Sequence, residues 1–191
     1  NDIPAGAFRG HHRYTSDIIP ATTEPTVADT NPALQTPTDL ARNDTRSVAE
    51  ALNAALADCY ALYLKTKNFH WHVSGPHFRD YHLMLDDQAT QILGVTDAIA
   101  ERVRKTGNTT LRSIGDISRR QSIADNDRDF VSAAEMLSEL RDDNLKLVER
   151  FREVKDASEE AKDNATSGIV DDWTDEAEER AWFLFETSRK G

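Results

Sequence analysis

Mostly apolar residues recur at steps of three and four along much of the chain, which is the period of an amphipathic helix. Ser47 and Glu50 have the spacing of a capping box, and the sequence breaks at Gly75-Pro76. This pattern predicts a long first helix from about residue 44 to that turn. Its buried stripe comprises Val48, Leu52, Ala55, Cys59, Leu62, Thr66 and Phe69.

The same period predicts three further long helices. The second runs from about residue 76 to Lys105, and its stripe is Phe78, Tyr81, Leu85, Ala89, Ile92, Val95, Ile99 and Val103. Ser132 and Glu135 form another capping box, which opens a third helix with Leu137, Leu140, Leu147, Phe151 and Val154 on one face. The fourth covers about residues 167–188 and carries Ile169, Trp173, Ala177, Ala181 and Leu184.

The regions outside these helices complete the predicted architecture. Residues 108–128 are polar and have room for one short helix near 111–119, so this link can cross the end of a bundle. Residues 1–40 hold five of the six prolines and no sustained apolar period, which predicts an extended, partly ordered tail. We therefore expect an all-α protein whose residues 41–191 form a four-helix bundle.

Composition narrows the class of protein. The 191 residues carry a net charge of -11, which favours cations over nucleic acid as ligands. The single cysteine excludes an intrachain disulfide, and the position of Cys59 on an apolar stripe predicts a buried thiol. No apolar run approaches the ~20 residues of a membrane span, and no signal pattern follows Arg9 and Arg13. We expect a cytoplasmic protein without a membrane partner; association with the nucleoid stays open.

The second predicted helix carries a candidate metal-binding face. His82, Asp86, Asp97 and Glu101 fall about 40° to 140° from Phe78 around the helix, beside the core stripe. Histidine and carboxylate at four-residue steps are typical of metal ligands. The alternative is an ordinary solvated face. Apolar and small residues in the same sector weaken that alternative, namely Leu83, Thr90, Leu93 and Gly94.

Distance along this helix indicates that the site is shared between subunits. Asp86 and Asp97 are about 16 Å apart at 1.5 Å per residue, so the two ends cannot bind the same ion. An antiparallel copy related by a two-fold axis would bring opposite ends together and form two equivalent sites. His70, just before the turn, can join His82. The sequence lacks the Glu-x-x-His motif of metal sites inside one bundle.

Residues 65–107 resemble the signature of the Dps family, the DNA-binding proteins from starved cells, also called miniferritins. The segment reads KTKNFHWHVSGPHFRDYHLMLDDQATQILGVTDAIAERVRKTG. The resemblance is carried by the His70-Trp71 pair, the Gly-Pro turn, His82 with Asp86 four residues later, and the Asp-x-x-x-Glu motif that ends at Glu101. It covers about residues 44–188 and is weaker in the second half.

The resemblance implies a ferritin-like fold, ferroxidase activity and a hollow homododecamer. Ferrous iron would be oxidised, preferably with hydrogen peroxide rather than dioxygen, and stored as a ferric mineral. The implied ligands and catalytic residues are His70, His82, Asp86, Asp97 and Glu101. Trp71 beside them either intercepts radicals or packs. Pores for iron uptake lie near the start of the fourth helix in the family, which suggests Asp163, Asp171, Asp172 and Glu176.

Two other functions compete with iron oxidation. A DNA-compacting protein is the first, because several family members bind DNA through lysine-rich tails. Here residues 1–40 contain Arg9 and Arg13 but no lysine, against five acidic residues, so the tail has a charge of about -3 and direct DNA binding is disfavoured. A structural bundle without metal is the second, and the proposed ligand set argues against it.

Overall fold

The computed structural model describes residues 31–189, and within them it has no strand. A 3-10 turn at Pro32–Leu34 precedes five α-helices. These are α1 (Arg42–His72), α2 (Phe78–Lys105), α3 (Ile114–Arg120), α4 (Ala133–Glu160) and α5 (Asn164–Ser188). The prediction of an all-α protein with a short helix in the long link is confirmed.

The four long helices form two hairpins. α1 turns into α2 through five residues, where Gly75 has a φ of 116° that favours glycine, and α4 turns into α5 through three. α1 packs along both α2 and α4, α4 packs along α5, and α3 lies against α1. Short connections make the helices of each hairpin antiparallel. The candidate ligands on α1 and α2 therefore belong to one hairpin.

The ends of the helices follow the sequence signals only in part. The capping box at Ser132 and Glu135 is present, and its hydrogen bonds lower the pKa of the Glu135 carboxyl to about 2. The predicted box at Ser47 is wrong, because α1 begins earlier, after Ala41, which makes no side-chain cap. α5 also begins earlier than predicted, because the Asp163 side chain accepts a hydrogen bond from the Thr166 amide.

The predicted core stripes are confirmed for α1 and α4, whose named positions are all buried. On α2, the prediction that Phe78 belongs to the core is wrong. Phe78 is 45% exposed in the first turn, and the buried stripe begins at Leu85. On α5, Val170 is buried in place of Ile169, which is 37% exposed. Both errors lie near the start of a helix, Phe78 at the first residue of α2 and Ile169 at the sixth residue of α5.

Residues 31–40 lie against the end of α2. Arg104 Nη2 donates to the Leu34 carbonyl at 2.7 Å. Gly107 has a φ of 82°, and a Cβ there would meet the Thr36 carbonyl oxygen at 3.0 Å. Glycine is therefore required for both reasons. The predicted tail otherwise falls in residues 1–30, outside the described residues, so the boundary between tail and bundle at residues 40 and 41 stays a prediction.

Among the described residues, none of the helices combines the length and the apolar character that crossing a membrane demands.

Candidate metal centre

His70 and His82 hold each other in place across the α1–α2 turn. His70 Nδ1 donates to the His82 carbonyl at 2.7 Å, and His82 Nδ1 donates to the His70 carbonyl at 2.8 Å. The two rings stack with their centroids 3.8 Å apart. Because a carbonyl only accepts, each neutral ring carries its proton on Nδ1 and leaves the Nε2 lone pair free. Both rings thus present the nitrogen that can bind a metal.

Asp86 lies beside this histidine pair. Its Oδ1 is 3.9 Å from His70 Nε2, one turn along α2 from His82. Lys67 Nζ is 2.6 Å from the same oxygen, and this hydrogen bond lowers the pKa of the Asp86 carboxyl. The carboxylate is therefore charged at neutral pH. At this end of α2, the two histidines supply nitrogen ligands and the Asp86 carboxylate supplies oxygen ligands.

Asp97 and Glu101 lie on the same exposed face of α2 but toward its other end. Both side chains are solvent-accessible, and Glu101 pairs with Lys105 at 3.0 Å in an exposed ion pair. Within residues 31–189 of one chain, no three histidine, cysteine or acidic side chains form a complete metal-binding cluster. The structure places His70 against His82 and 3.9 Å from Asp86, and it leaves the two other predicted ligands apart from them.

The surface between these two ends is open. Leu83 and Leu93 are exposed, and no atom of the described part of the chain lies within 4 Å of a Cβ built on Gly94. Close packing of another helix against this face would explain why a glycine is tolerated at position 94. Among residues 31–189, no helix of the same subunit packs there, because this face of α2 points away from the bundle.

Arg180 and Cys59 in the centre of the bundle are poorly suited to binding a metal ion, unlike the side chains on the exposed face of α2. Arg180 on α5 is buried, and its Nε donates to the Asn144 side chain at 2.8 Å, while Gln88 donates to the Arg180 carbonyl at 3.4 Å. Cys59 lies in the same region, and burial raises the pKa of its thiol to about 12. A guanidinium repels metal cations, and the neutral thiol is a poor ligand. The predicted buried cysteine is confirmed.

The four acidic residues suggested for iron uptake are not equivalent. Asp163 is 3% exposed, caps α5 and accepts a hydrogen bond from Arg102 at 2.7 Å, so its carboxylate is engaged inside the subunit. Asp171 is exposed and pairs with Lys155 at 2.8 Å. Asp172 is exposed and Glu176 is half-buried. We therefore retain Asp171, Asp172 and Glu176 as surface candidates and assign a structural role to Asp163.

Lys67 is the residue at this site that the sequence reasoning missed. It precedes His70 by three residues, so both side chains share one face of α1. Its ammonium also lies 5.8 Å from the centre of the Trp71 ring. The spacing to His70 was a usable signal, but pairing with Asp86 depends on how α1 and α2 are rotated against each other.

A wide groove adjoins the site on the α1 side. Its volume is about 980 Å³, and α1, α3 and the loop before α4 line it. Several of its large apolar side chains are exposed, namely Leu64, Trp71, Ile114 and Phe130. Exposed apolar residues gathered in one place are typical of a surface that another protein covers.

The chain is similar to proteins of one group throughout its helical region. Residues 49–190 match the family described as ferritin-like domain. A Brevibacillus brevis protein named DNA protection during starvation protein is 34% identical over 72% of this chain and 91% of its own. An Agrobacterium fabrum protein of the same name is 32% identical over 78% and 93%. The crystal structure of a Dps protein from Bacillus brevis superposes with a TM-score of 0.75 at 31% identity, covering 78% of this chain and all of that one.

Proposed function

The chain belongs to the Dps family of ferritin-like proteins, and on this premise we propose that it oxidises ferrous iron at sites shared between two subunits. The product is stored as a ferric mineral inside a hollow homododecamer. Ferrous iron is the substrate, and hydrogen peroxide is the preferred oxidant. The protein thereby protects DNA from oxidative damage by removing both reactants that generate hydroxyl radicals.

One observation carries the proposal: the candidate ligands lie in two groups along α2. His70, at the end of α1, is adjacent to His82 and Asp86, while Asp97 lies about 16 Å from Asp86 along α2 and Glu101 one turn further. A two-fold copy that lies antiparallel to α2 places the histidine end of one subunit against the carboxylate end of the other. Each pair of subunits then has two complete sites.

The exposed residues between the two ends support this pairing. Leu83 and Leu93 offer apolar surface that a partner would bury, and Gly94 has space for a close helix. The groove beside Trp71 adds a second apolar surface next to the histidine end. Subunit association would remove both from water, which is the dominant favourable contribution to assembly.

The donor types suit iron oxidation. Carboxylates are hard oxygen donors that stabilise ferric more than ferrous iron, and two imidazoles leave coordination positions free for the oxidant. Each peroxide takes two electrons, one from each of two ferrous ions, and the oxygen leaves as water. Trp71 is 58% exposed beside the site, which is compatible with radical interception and with packing against a partner.

The experiment compares two double variants of the full chain. His70→Ala with His82→Ala, and Asp97→Asn with Glu101→Gln, should each slow ferrous oxidation by peroxide about 10²-fold or more while the oligomer persists. Asp156→Asn with Glu160→Gln is the matched control, since these acids have the same four-residue spacing on an exposed face of α4. Wild-type rates in both double variants would refute the proposed site.

A further inference from the structure

The Asp86 carboxylate already holds a cation of the protein itself. Lys67 Nζ is 2.6 Å from Asp86 Oδ1, and this is the same oxygen that lies 3.9 Å from His70 Nε2. The Lys67 ammonium is therefore hydrogen-bonded to the Asp86 oxygen that faces the histidine pair. A metal ion bound through this oxygen and a lysine bound to it would place two positive charges in contact.

Lys67 is held more firmly than an ordinary surface lysine. Its side chain is 17% exposed, whereas Lys105, which pairs with Glu101 in the other half of the ligand set, is 59% exposed. Exposed pairs such as Lys105–Glu101 are screened by water and contribute little. The pair at Asp86 is shielded on the lysine side and competes more strongly with an incoming cation.

The Trp71 ring is a second group that attracts the Lys67 ammonium. The ammonium is 5.8 Å from the centroid of the Trp71 ring, which lies one turn further along α1. The face of an indole ring attracts a cation, so Trp71 attracts this ammonium together with Asp86 and would still do so if a metal ion took the carboxylate oxygen.

We propose that Lys67 is a displaceable internal cation that a divalent metal must replace in order to use Asp86. This inference rests on the proposed function and adds a residue that sets the affinity of the site. An incoming divalent ion must break the Lys67–Asp86 pair, and the displaced ammonium stays close enough to repel it. Lys67 therefore weakens the binding of the metal ion that uses Asp86.

The test measures metal binding without oxidation. Cobalt(II) chloride is titrated anaerobically into the assembled protein by calorimetry. Lys67→Met should raise the affinity for cobalt about tenfold, which corresponds to about 1.4 kcal/mol. Lys67→Arg should bind cobalt no more tightly than wild type, because a guanidinium pairs with a carboxylate through two hydrogen bonds and is harder to displace. Lys146→Met, which removes an exposed lysine on α4, is the control and should behave as wild type.

The outcomes separate this inference from the proposed function. Loss of cobalt binding in His70→Ala with His82→Ala supports the site itself, whereas unchanged binding in that variant overturns the proposed function. If the site is supported and Lys67→Met binds cobalt with unchanged or lower affinity, displacement alone is overturned. Asp86→Asn combined with Lys67→Met should abolish the gain; a gain that persists would also contradict the inference. Circular dichroism of each variant checks that the helices are intact.

Discussion

Mixing two inactive kinds of subunit should restore a defined fraction of iron oxidation. The first kind carries His70→Ala and His82→Ala, and the second carries Asp97→Asn and Glu101→Gln. In a mixed two-fold pair, one site receives both intact ends of α2 and the other receives both defective ends. Random assembly of equal amounts makes about half of the pairs mixed, so about a quarter of all sites should work.

The assay is stopped-flow absorbance of ferric iron after the two variants are dissociated and reassembled together, with composition verified by native mass spectrometry. Each variant reassembled alone is the control and should stay inactive. Recovery of about a quarter of the wild-type rate is expected. Mixed shells that contain both kinds of subunit and yet show no recovery would refute a shared site, because a site within one subunit cannot be repaired by a partner.

Three further predictions concern iron uptake, DNA and the stability of α5. The triple variant Asp171→Asn, Asp172→Asn and Glu176→Gln should take up iron more slowly at low iron concentration and oxidise it at the wild-type rate at saturation, since acidic channels raise the local cation concentration. Wild-type uptake at low iron would contradict this. The protein should protect plasmid from iron and peroxide without a gel shift at about 0.15 M salt and no divalent cation. A shift abolished by deletion of residues 1–40 would show that the tail binds DNA. Asp163→Ala removes a helix cap and the partner of Arg102, so thermal unfolding at matched concentration should reveal a loss of about 1–3 kcal/mol. An unchanged melting temperature would contradict the assigned cap.

The helices were predictable from the sequence because burial alone requires a repeat of apolar positions. α4 shows this best, since every predicted core position on it is buried and its capping box forms. The proximity of His70, His82 and Asp86 was also predictable, because a short turn and a four-residue step leave little geometric freedom. For these features, local spacing and the period of a helix are sufficient.

The remaining features depend on how helices are rotated against one another. Asp163 and Asp171 are both acidic residues near the start of the fourth predicted helix. In the structure Asp163 is buried, where it caps α5 and pairs with Arg102 from α2, whereas Asp171 is exposed and pairs with Lys155. Lys67 meets Asp86 because of the angle between α1 and α2, which a single sequence does not reveal. Arg180 lies in the bundle centre although arginine is rarely buried, and the sequence pattern gives no sign of the Asn144 side chain that accepts a hydrogen bond from its Nε.

The reciprocal hydrogen bonds of His70 and His82 have a consequence for the entropy of metal binding. Each imidazole is already fixed by the backbone of the other residue, and the stacked rings restrict one another further. Ordering a free side chain costs about 0.5–1.5 kcal/mol when a ligand immobilises it. The two rings are already ordered by folding, so a metal ion that binds them as proposed would lose little binding free energy to ordering them. The turn between α1 and α2 would supply this preorganisation within a single subunit.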